Sequence, residues 1–278
     1  MPDLLPKIRE ICQLLEIKPA RSKGQNFLVN ENIYDEIVAA ADLKPDDTVL
    51  EIGPGLGFLT MKLAKKVKRV IAVELDDKLA NYLQMGIDAQ GIENVEIINE
   101  DILKFNINQL PADGAYKIVA NLPYNITSIF LRLFLEAQHQ PELMVLMLQK
   151  EVVERIVATP PEMSILAISI QYYAATKIIR EVKAGNFWPE PKVDSAVIRL
   201  DIKKDAPRAN KIFFRIVKVG FSAKRKMLKN NLAGGLKISS KTIENLLLKQ
   251  GFDPKVRAED LFLADWEKLV AALTPFMV

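Results

Sequence analysis

Apolar residues recur at intervals of three and four over residues 4–17, which predicts an amphipathic helix closed by Pro19. The following Arg21-Ser22-Lys23-Gly24-Gln25-Asn26 is polar, ends on Phe27-Leu28 and reads as a loop. Asn30 is placed to cap a helix running to about residue 41, with Ile33, Ile37 and Val38 on its apolar face. From residue 48 the period changes. Short apolar runs at 48–52, 70–73, 95–98, 118–120 and 143–148 alternate with helical patterns, as in an α/β chain with a parallel sheet. The intervening helices are expected to follow Gly57, to run from Asp76 through Met85, to span 128–137, and to carry Glu151, Glu154 and Arg155. Residues 165–173 fit helix and strand equally, whereas 193–202 alternate as a strand expected to close the sheet. Residues 203–210, with Pro207, read as a linker, and the remainder is helical. The resulting domains are 1–203 and 208–278.

The chemistry gathers where the strands end. The first strand runs into Gly53-Pro54-Gly55-Leu56-Gly57 and then a helix, a turn whose glycines allow close backbone approach to a ligand. The second ends in Glu74, 21 positions after Gly53, where a carboxylate can take both hydroxyls of a ribose. This spacing favours a nucleoside over a plain structural turn without saying which one. The third strand ends near Asp101, placed either to accept from an adenine amino group or to cap a helix before Ile102. The fourth ends in Asn121-Leu122-Pro123-Tyr124. Asn121 Oδ1 and the Leu122 carbonyl are two acceptors, Leu122 is held extended by the proline, and Tyr124 offers a flat face. Together they suit a planar substrate bearing an amino group, although the tetrapeptide alone is also an ordinary turn. Phe187, before Trp188-Pro189-Glu190-Pro191, is either a second stacking wall or an apolar loop anchor.

Composition narrows the setting. With 278 residues, 49% hydrophobic and 26% charged, the chain accommodates one large and one small domain. A single cysteine, Cys12, excludes an internal disulfide and fits a reducing cytoplasm. A single histidine, His139, close to an expected helix end, argues against zinc chemistry and histidine triads. Neither a secretory leader nor a membrane span is expected. The net charge is only +3, yet residues 206–232 hold eight cations (Arg208, Lys211, Arg215, Lys218, Lys224, Arg225, Lys226, Lys229) and no acid. Such a segment points to a polyanion, the alternative being a solvated helix face.

These motifs together resemble the KsgA-type (RsmA) ribosomal RNA small-subunit adenine N6,N6-dimethyltransferases. The likeness extends over Gly24-Gln25-Asn26-Phe27-Leu28, Glu51-Ile52-Gly53-Pro54-Gly55-Leu56-Gly57, Glu74, Asp101, Asn121-Leu122-Pro123-Tyr124-Asn125-Ile126, Phe187, Pro189 to Ser195, and Lys224 to Leu232. It implies a Rossmann-like methyltransferase sheet of seven strands, the last added one antiparallel, with a small all-α C-terminal domain. It implies S-adenosylmethionine as cofactor, held by Gln25, Asn26, Leu28, Glu51, Gly53, Gly55, Glu74, Leu75, Asp101, Ile102 and Asn121. Asn121, Leu122, Tyr124 and Phe187 would then form the catalytic side, and the C-terminal cations would meet RNA. The implied substrate is a pair of adjacent adenosines in the 3′-terminal hairpin of small-subunit RNA, within an immature 30S particle, and the expectation is a monomeric cytoplasmic enzyme. An Erm-type methyltransferase of large-subunit RNA shares the pocket motifs, and a non-catalytic RNA-binding assembly factor shares the fold. The Lys224 to Leu232 stretch and Arg257-Ala258-Glu259-Asp260-Leu261 favour the first reading, and the Asn121 motif argues for activity. One departure stands out: Met163-Ser164-Ile165-Leu166-Ala167 replaces a usual Tyr-Gly pair followed by Leu-Ser, in a stretch expected near the target pocket.

Overall fold

Four parallel strands carry the motif residues to one edge of a sheet, in the order the apolar runs predict. The computed structural model describes residues 3–17, 19, 25–110, 116–203 and 210–277; the expected linker at 204–209, Arg208 and Gly24 fall outside them. Helix α1 (Leu5–Leu14) buries Ile8, Ile11 and Cys12. A two-residue strand β1 (Phe27–Leu28) precedes α2 (Glu31–Ala40), where the Asn30 side chain accepts from the Asn32 amide as its cap. Then come β2 (Thr48–Ile52), α3 (Phe58–Ala64), β3 (Arg69–Glu74), α4 (Asp77–Ala89), β4 (Val95–Asn99), β5 (Tyr116–Asn121), α5 (Thr127–Leu135) and β6 (Leu143–Gln149). Asp76 caps α4 through the amides of Lys78 and Leu79, and α4 runs a turn beyond Met85 because Ile87 is buried.

The second half of the chain differs more from expectation. After α6 (Lys150–Ile156), residues 165–173 are helical (α7, Ile165–Tyr173), with the Ser164 side chain accepting from the Ala167 amide. An unanticipated strand β7 (Ala174–Val182) follows, then β8 (Phe187–Trp188) and β9 (Ser195–Ile202). The seven-stranded sheet runs β4-β3-β2-β5-β6-β9-β7. Thus β9 does not close the sheet; it lies antiparallel to β6, and β7 takes the edge beyond it. Strand β7 escapes notice because its burial is irregular, with several exposed positions and no clean alternation. The loop ending at Leu28 is likewise paired, Phe27 opposite Trp188 and Leu28 opposite Phe187.

The chain divides into two compact units, Met1–Val153 with Ala175–Ile202, and Glu154–Ala174 with Lys203–Val278. The second therefore takes in α7, which the sequence reading placed with the first domain. In the first unit, Val49, Val70, Val119, Val145 and Val197 pack with Ile33, Ile37 and Leu63 beneath the sheet. The one buried cation among the described residues there, Lys117, meets the Asp47 carboxylate at 2.9 Å and the Asp42 carbonyl at 2.6 Å.

The second unit contains α8 (Lys211–Gly220), α9 (Leu228–Leu236), α10 (Ser240–Lys249) and α11 (Leu263–Leu273). Tyr172 of α7 meets Phe213 at 4.5 Å between ring centroids, and Trp266 is fully buried. Buried Asn231 donates to the carbonyls of Gly220 (2.6 Å) and Ala223 (3.1 Å), which ties down the turn after α8. The Met163 to Ala167 departure has structural work here: Met163 is buried, its amide donates to the Glu259 carbonyl, and Ser164 caps α7.

Gly57 initiates α3 at φ +82°, and a β-carbon on it would lie 2.4 Å from Leu83 Cδ1. Gly57→Ala is expected to destabilise the protein by about 2 kcal/mol or more, from left-handed strain plus overpacking. The check is a lower urea midpoint at unchanged slope.

Candidate functional site

The turn between β2 and α3 carries three residues in the left-handed region: Gly53 (φ +63°), Gly55 (φ +57°) and Gly57. Gly55 is doubly constrained, because a β-carbon there would meet the Phe27 ring at 3.4 Å. Its amide donates to Glu74 Oε2 at 3.0 Å, while Oε1 of the same carboxylate accepts from the Asp76 amide at 2.9 Å. Glu74 so joins the glycine turn to the start of α4. Burial pushes its carboxyl above the ordinary range, opposed by the Asp76 and Gly55 amides and reinforced by the nearby Asp76 charge.

Next to this turn lies a cavity of about 390 Å3, within the range of small-molecule sites. Of the residues expected to hold a cofactor, Gln25, Asn26, Leu28, Glu51, Gly53, Gly55, Glu74, Leu75, Asp101, Ile102 and Asn121 all line it. Leu75 is 68% exposed at the rim, and Ile102 is buried. Asp101 begins a turn rather than a helix: its Oδ1 accepts from the Leu103 amide at 3.0 Å. Tyr34, Phe58, Asn125 and Ile126 also line the cavity and were not foreseen. Tyr34 and Phe58 sit at positions indistinguishable in sequence from helix core, whereas Asn125 and Ile126 extend a motif already singled out.

Among the described residues, two buried acceptors in this wall have no hydrogen-bond partner: Asn26 Oδ1 and Glu51 Oε2. Leaving such groups unpaired is costly, and a ligand with donors or positive charge would satisfy them. Glu51 is fully enclosed and its carboxyl is pushed up to about 8, first by burial, with the Thr60 hydroxyl opposing and Glu74 adding to the rise. The same surroundings, together with Glu51, push the Tyr34 phenol up. The chemistry of the wall is thus acceptor-rich at one end and apolar at the Leu75 and Ile102 end.

Asn121, last residue of β5, reaches the cavity from the other side. Its Nδ2 donates to the Asn26 carbonyl at 3.5 Å, which turns Oδ1 away from that carbonyl. Leu122 is buried, and its amide donates to the Met147 carbonyl. Tyr124 opens a short 3-10 turn and its phenol lies 2.7 Å from Ser195 Oγ. Leu122 and Tyr124 flank the cavity wall rather than forming it, since Pro123 and Asn125 are the lining neighbours. Phe187 is only 4% exposed and packs into the core, as a loop anchor would. The loop is braced further: the Val29 amide donates to the Asn186 carbonyl, and Asn30 Nδ2 to Asn186 Oδ1.

In the second unit, Lys211, Arg215 and Lys218 are exposed on α8 opposite buried Phe213, Ile216 and Val217. Lys224, Arg225 and Lys226 are exposed on the turn before α9. Lys229 differs, being paired with Glu244 at 3.0 Å, a carboxylate 15 positions away that the local charge count missed. Arg208 lies outside the described residues.

A family model described as ribosomal RNA adenine dimethylase matches residues 18–274. A ribosomal RNA small subunit methyltransferase A from Dehalococcoides mccartyi is 44% identical over 96% of this chain and 93% of its own. One from Clostridium botulinum is 40% identical over 94% of this chain and 96% of its own. Among solved structures, a dimethyladenosine transferase from Plasmodium falciparum superposes with a TM-score of 0.78 at 27% identity, covering 90% of this chain and 98% of that one. The 23S rRNA methyltransferase ErmE gives 0.75 at 26%, covering 90% and 100%.

The raised Glu51 carboxyl has a consequence for stability. The native state holds this proton up to about pH 8, whereas the unfolded chain loses it near the ordinary carboxyl value of 4.5. Stability is therefore lost progressively as pH rises through that window and levels off above it. Glu51→Gln is expected to raise the melting temperature of the cofactor-free protein by an amount that grows from pH 5 to pH 8 and is flat beyond. Paired thermal scans across pH check this.

Proposed function

The chain belongs to the ribosomal RNA adenine dimethylase family, and we propose that it dimethylates N6 of two adjacent adenosines in the 3′-terminal hairpin of small-subunit RNA, acting as a cytoplasmic monomer on an immature small-subunit particle. It is an S-adenosylmethionine-dependent methyltransferase with ribosomal RNA as its substrate. The observation that carries the reading is the single cavity in which Asn121 joins Glu74 and the unpartnered acceptors of Asn26 and Glu51. An S-adenosylmethionine molecule suits that wall, since its ammonium and sulfonium ends call for acceptors and its ribose for a carboxylate. Similarity to ErmE keeps large-subunit RNA as the rival substrate, and the high identity to small-subunit relatives over nearly the whole chain favours the first.

When bound, the cofactor supplies an activated methyl electrophile. In this reading Glu74 holds the ribose hydroxyls with the lone pairs its two backbone donors leave over. Leu75 and Ile102 cover the adenine, and Asp101 accepts from its amino group. Asn121 Oδ1 and the Leu122 carbonyl take the hydrogens of the target N6, favouring a pyramidal nitrogen whose lone pair faces the methyl group. Tyr124 supports the target base, which must leave its stack to be reached. Once it has taken the methyl group, the target nitrogen beside Asn121 and Leu122 would be cationic and acidic, and its proton would pass to water. No strong base is required. Positioning of this kind is worth up to ~7–11 kcal/mol in favourable cases.

The exposed cations of the second unit meet RNA phosphates in the same proposal, and their neutralisation should release counterions. Phe187 serves as the anchor of the loop over the cavity.

Mapping dimethyladenosine in small- and large-subunit RNA from cells with and without the protein tests the function; loss confined to large-subunit RNA would overturn it. Asn121→Ala should slow single-turnover methylation far more than it weakens cofactor binding, and equal losses would make Asn121 a cofactor ligand only. Glu74→Ala should weaken cofactor binding by about 1.5–3 kcal/mol, the scale of hydrogen bonds to a charged group. Calorimetry on the folded variant reads this directly.

Replacing Arg225 and Lys226 by alanine should weaken binding of small-subunit particles and reduce the slope of log affinity against log salt by roughly one unit or less per contact. Lys229 is left in place because it serves Glu244. An unchanged slope in filter-binding titrations would move the docking surface elsewhere.

A further inference from the structure

We propose that Ser195 is a positioning residue for methyl transfer, its buried hydroxyl holding the phenol of Tyr124 and so fixing where the target base rests. The inference rests on the reading that Tyr124 supports the base. Ser195 is fully buried, and its Oγ lies 2.7 Å from the Tyr124 hydroxyl. Tyr124 follows Pro123 in a single 3-10 turn and is only partly covered, so its surroundings do not lock it as a core ring is locked. A tyrosine side chain turns about two torsions, the second of them broad. Holding the far tip of the ring fixes the direction of its long axis, and the in-plane preference of a phenolic hydrogen bond restrains its tilt.

The anchor is itself firmly placed. Ser195 stands opposite Gln149 at the last rung of the β6 and β9 pair. The residue before it, Asp194, accepts from the Ala184 amide at 2.9 Å and from Lys183 Nζ at 2.8 Å, while its carbonyl accepts from the Lys150 amide at 3.0 Å. The Lys183 and Ala184 donors hold the Asp194 carboxyl below its ordinary range. A hydroxyl so mounted is a fixed point, whereas a surface serine in its place would follow the ring rather than direct it. Burial of the Ser195 hydroxyl also favours the bond, because that group would otherwise be left unsatisfied.

The test uses the full chain, small-subunit particles lacking the modification, and saturating S-adenosylmethionine in single-turnover methylation. Ser195→Ala and Tyr124→Phe should each slow the step by about tenfold, a hydrogen bond's worth, and the double variant should be no slower than either. Ser195→Thr, which keeps the hydroxyl, should recover most of the rate. Cofactor affinity by calorimetry should be unchanged in all of them, which a general loss of structure would not allow. Tyr124→Phe probes the same bond from the less buried side, so the proposal stays open to refutation if a Ser195 variant folds poorly. Parent-like rates in Ser195→Ala and Tyr124→Phe beside a slow Tyr124→Ala would overturn this inference alone. A parent-like Tyr124→Ala would overturn the role of Tyr124 as well, and additive losses in the double variant would overturn the coupling.

Discussion

The carboxylate of Glu74 is the constraint on which the site depends. Its two oxygens accept from backbone amides on opposite sides, Gly55 in the turn after β2 and Asp76 at the start of α4. Two strand ends and two helix starts are thereby set relative to one another by a single side chain. Its own main-chain carbonyl accepts from the Glu100 amide and from Asn99 Nδ2, extending the brace to the end of β4. On the proposed reading such a residue is both ligand and strut. Any loss of cofactor binding on its removal therefore contains a structural part, because two buried donors lose their acceptor at the same time.

Electrostatically, the cavity is prepared for a cation at a cost the protein carries alone. Glu51 and Glu74 are both buried, and Glu74 adds to the difficulty Glu51 has in ionising; the Thr60 hydroxyl for Glu51 and the Asp76, Gly55 and Leu75 amides for Glu74 offset part of the loss of water. A positively charged ligand reverses that balance, since it favours the ionised form of both carboxylates. On the proposed reading, affinity for a sulfonium and an ammonium would follow from the same burial that raises the Glu51 carboxyl.

Much of this was legible in the sequence because it depends on local rules. Apolar runs of three to six residues, glycines in a turn and acids or amides at strand ends are short-range signals, and β2 matches its predicted bounds at both ends. What was not legible depends on pairing between distant segments. The β1 and β8 ribbon joins residues about 160 positions apart, and two-residue strands carry no periodicity. The place of β9 between β6 and β7 could not be read from its alternation, which states only that one face is buried. Lys229 looked uncompensated because its acid lies on the next helix, and Phe187 looked available because an aromatic beside prolines gives no sign of its burial.

The antiparallel course of β9 bears on the order in which the molecule matures during synthesis. In a wholly parallel sheet each strand offers only its carboxyl end to the site, but a reversed strand brings its first residue there, and Ser195 is that residue. The cavity wall is drawn entirely from residues 25–126, whereas the anchor of Tyr124 and the partner of the Phe27-Leu28 flap arrive with residues 187–195. On the proposed reading, a nascent chain presents every residue of that wall some sixty residues before the parts that would orient the second reactant. The direction of one strand would thus set the residues of cofactor capture apart, along the chain, from those of substrate reading.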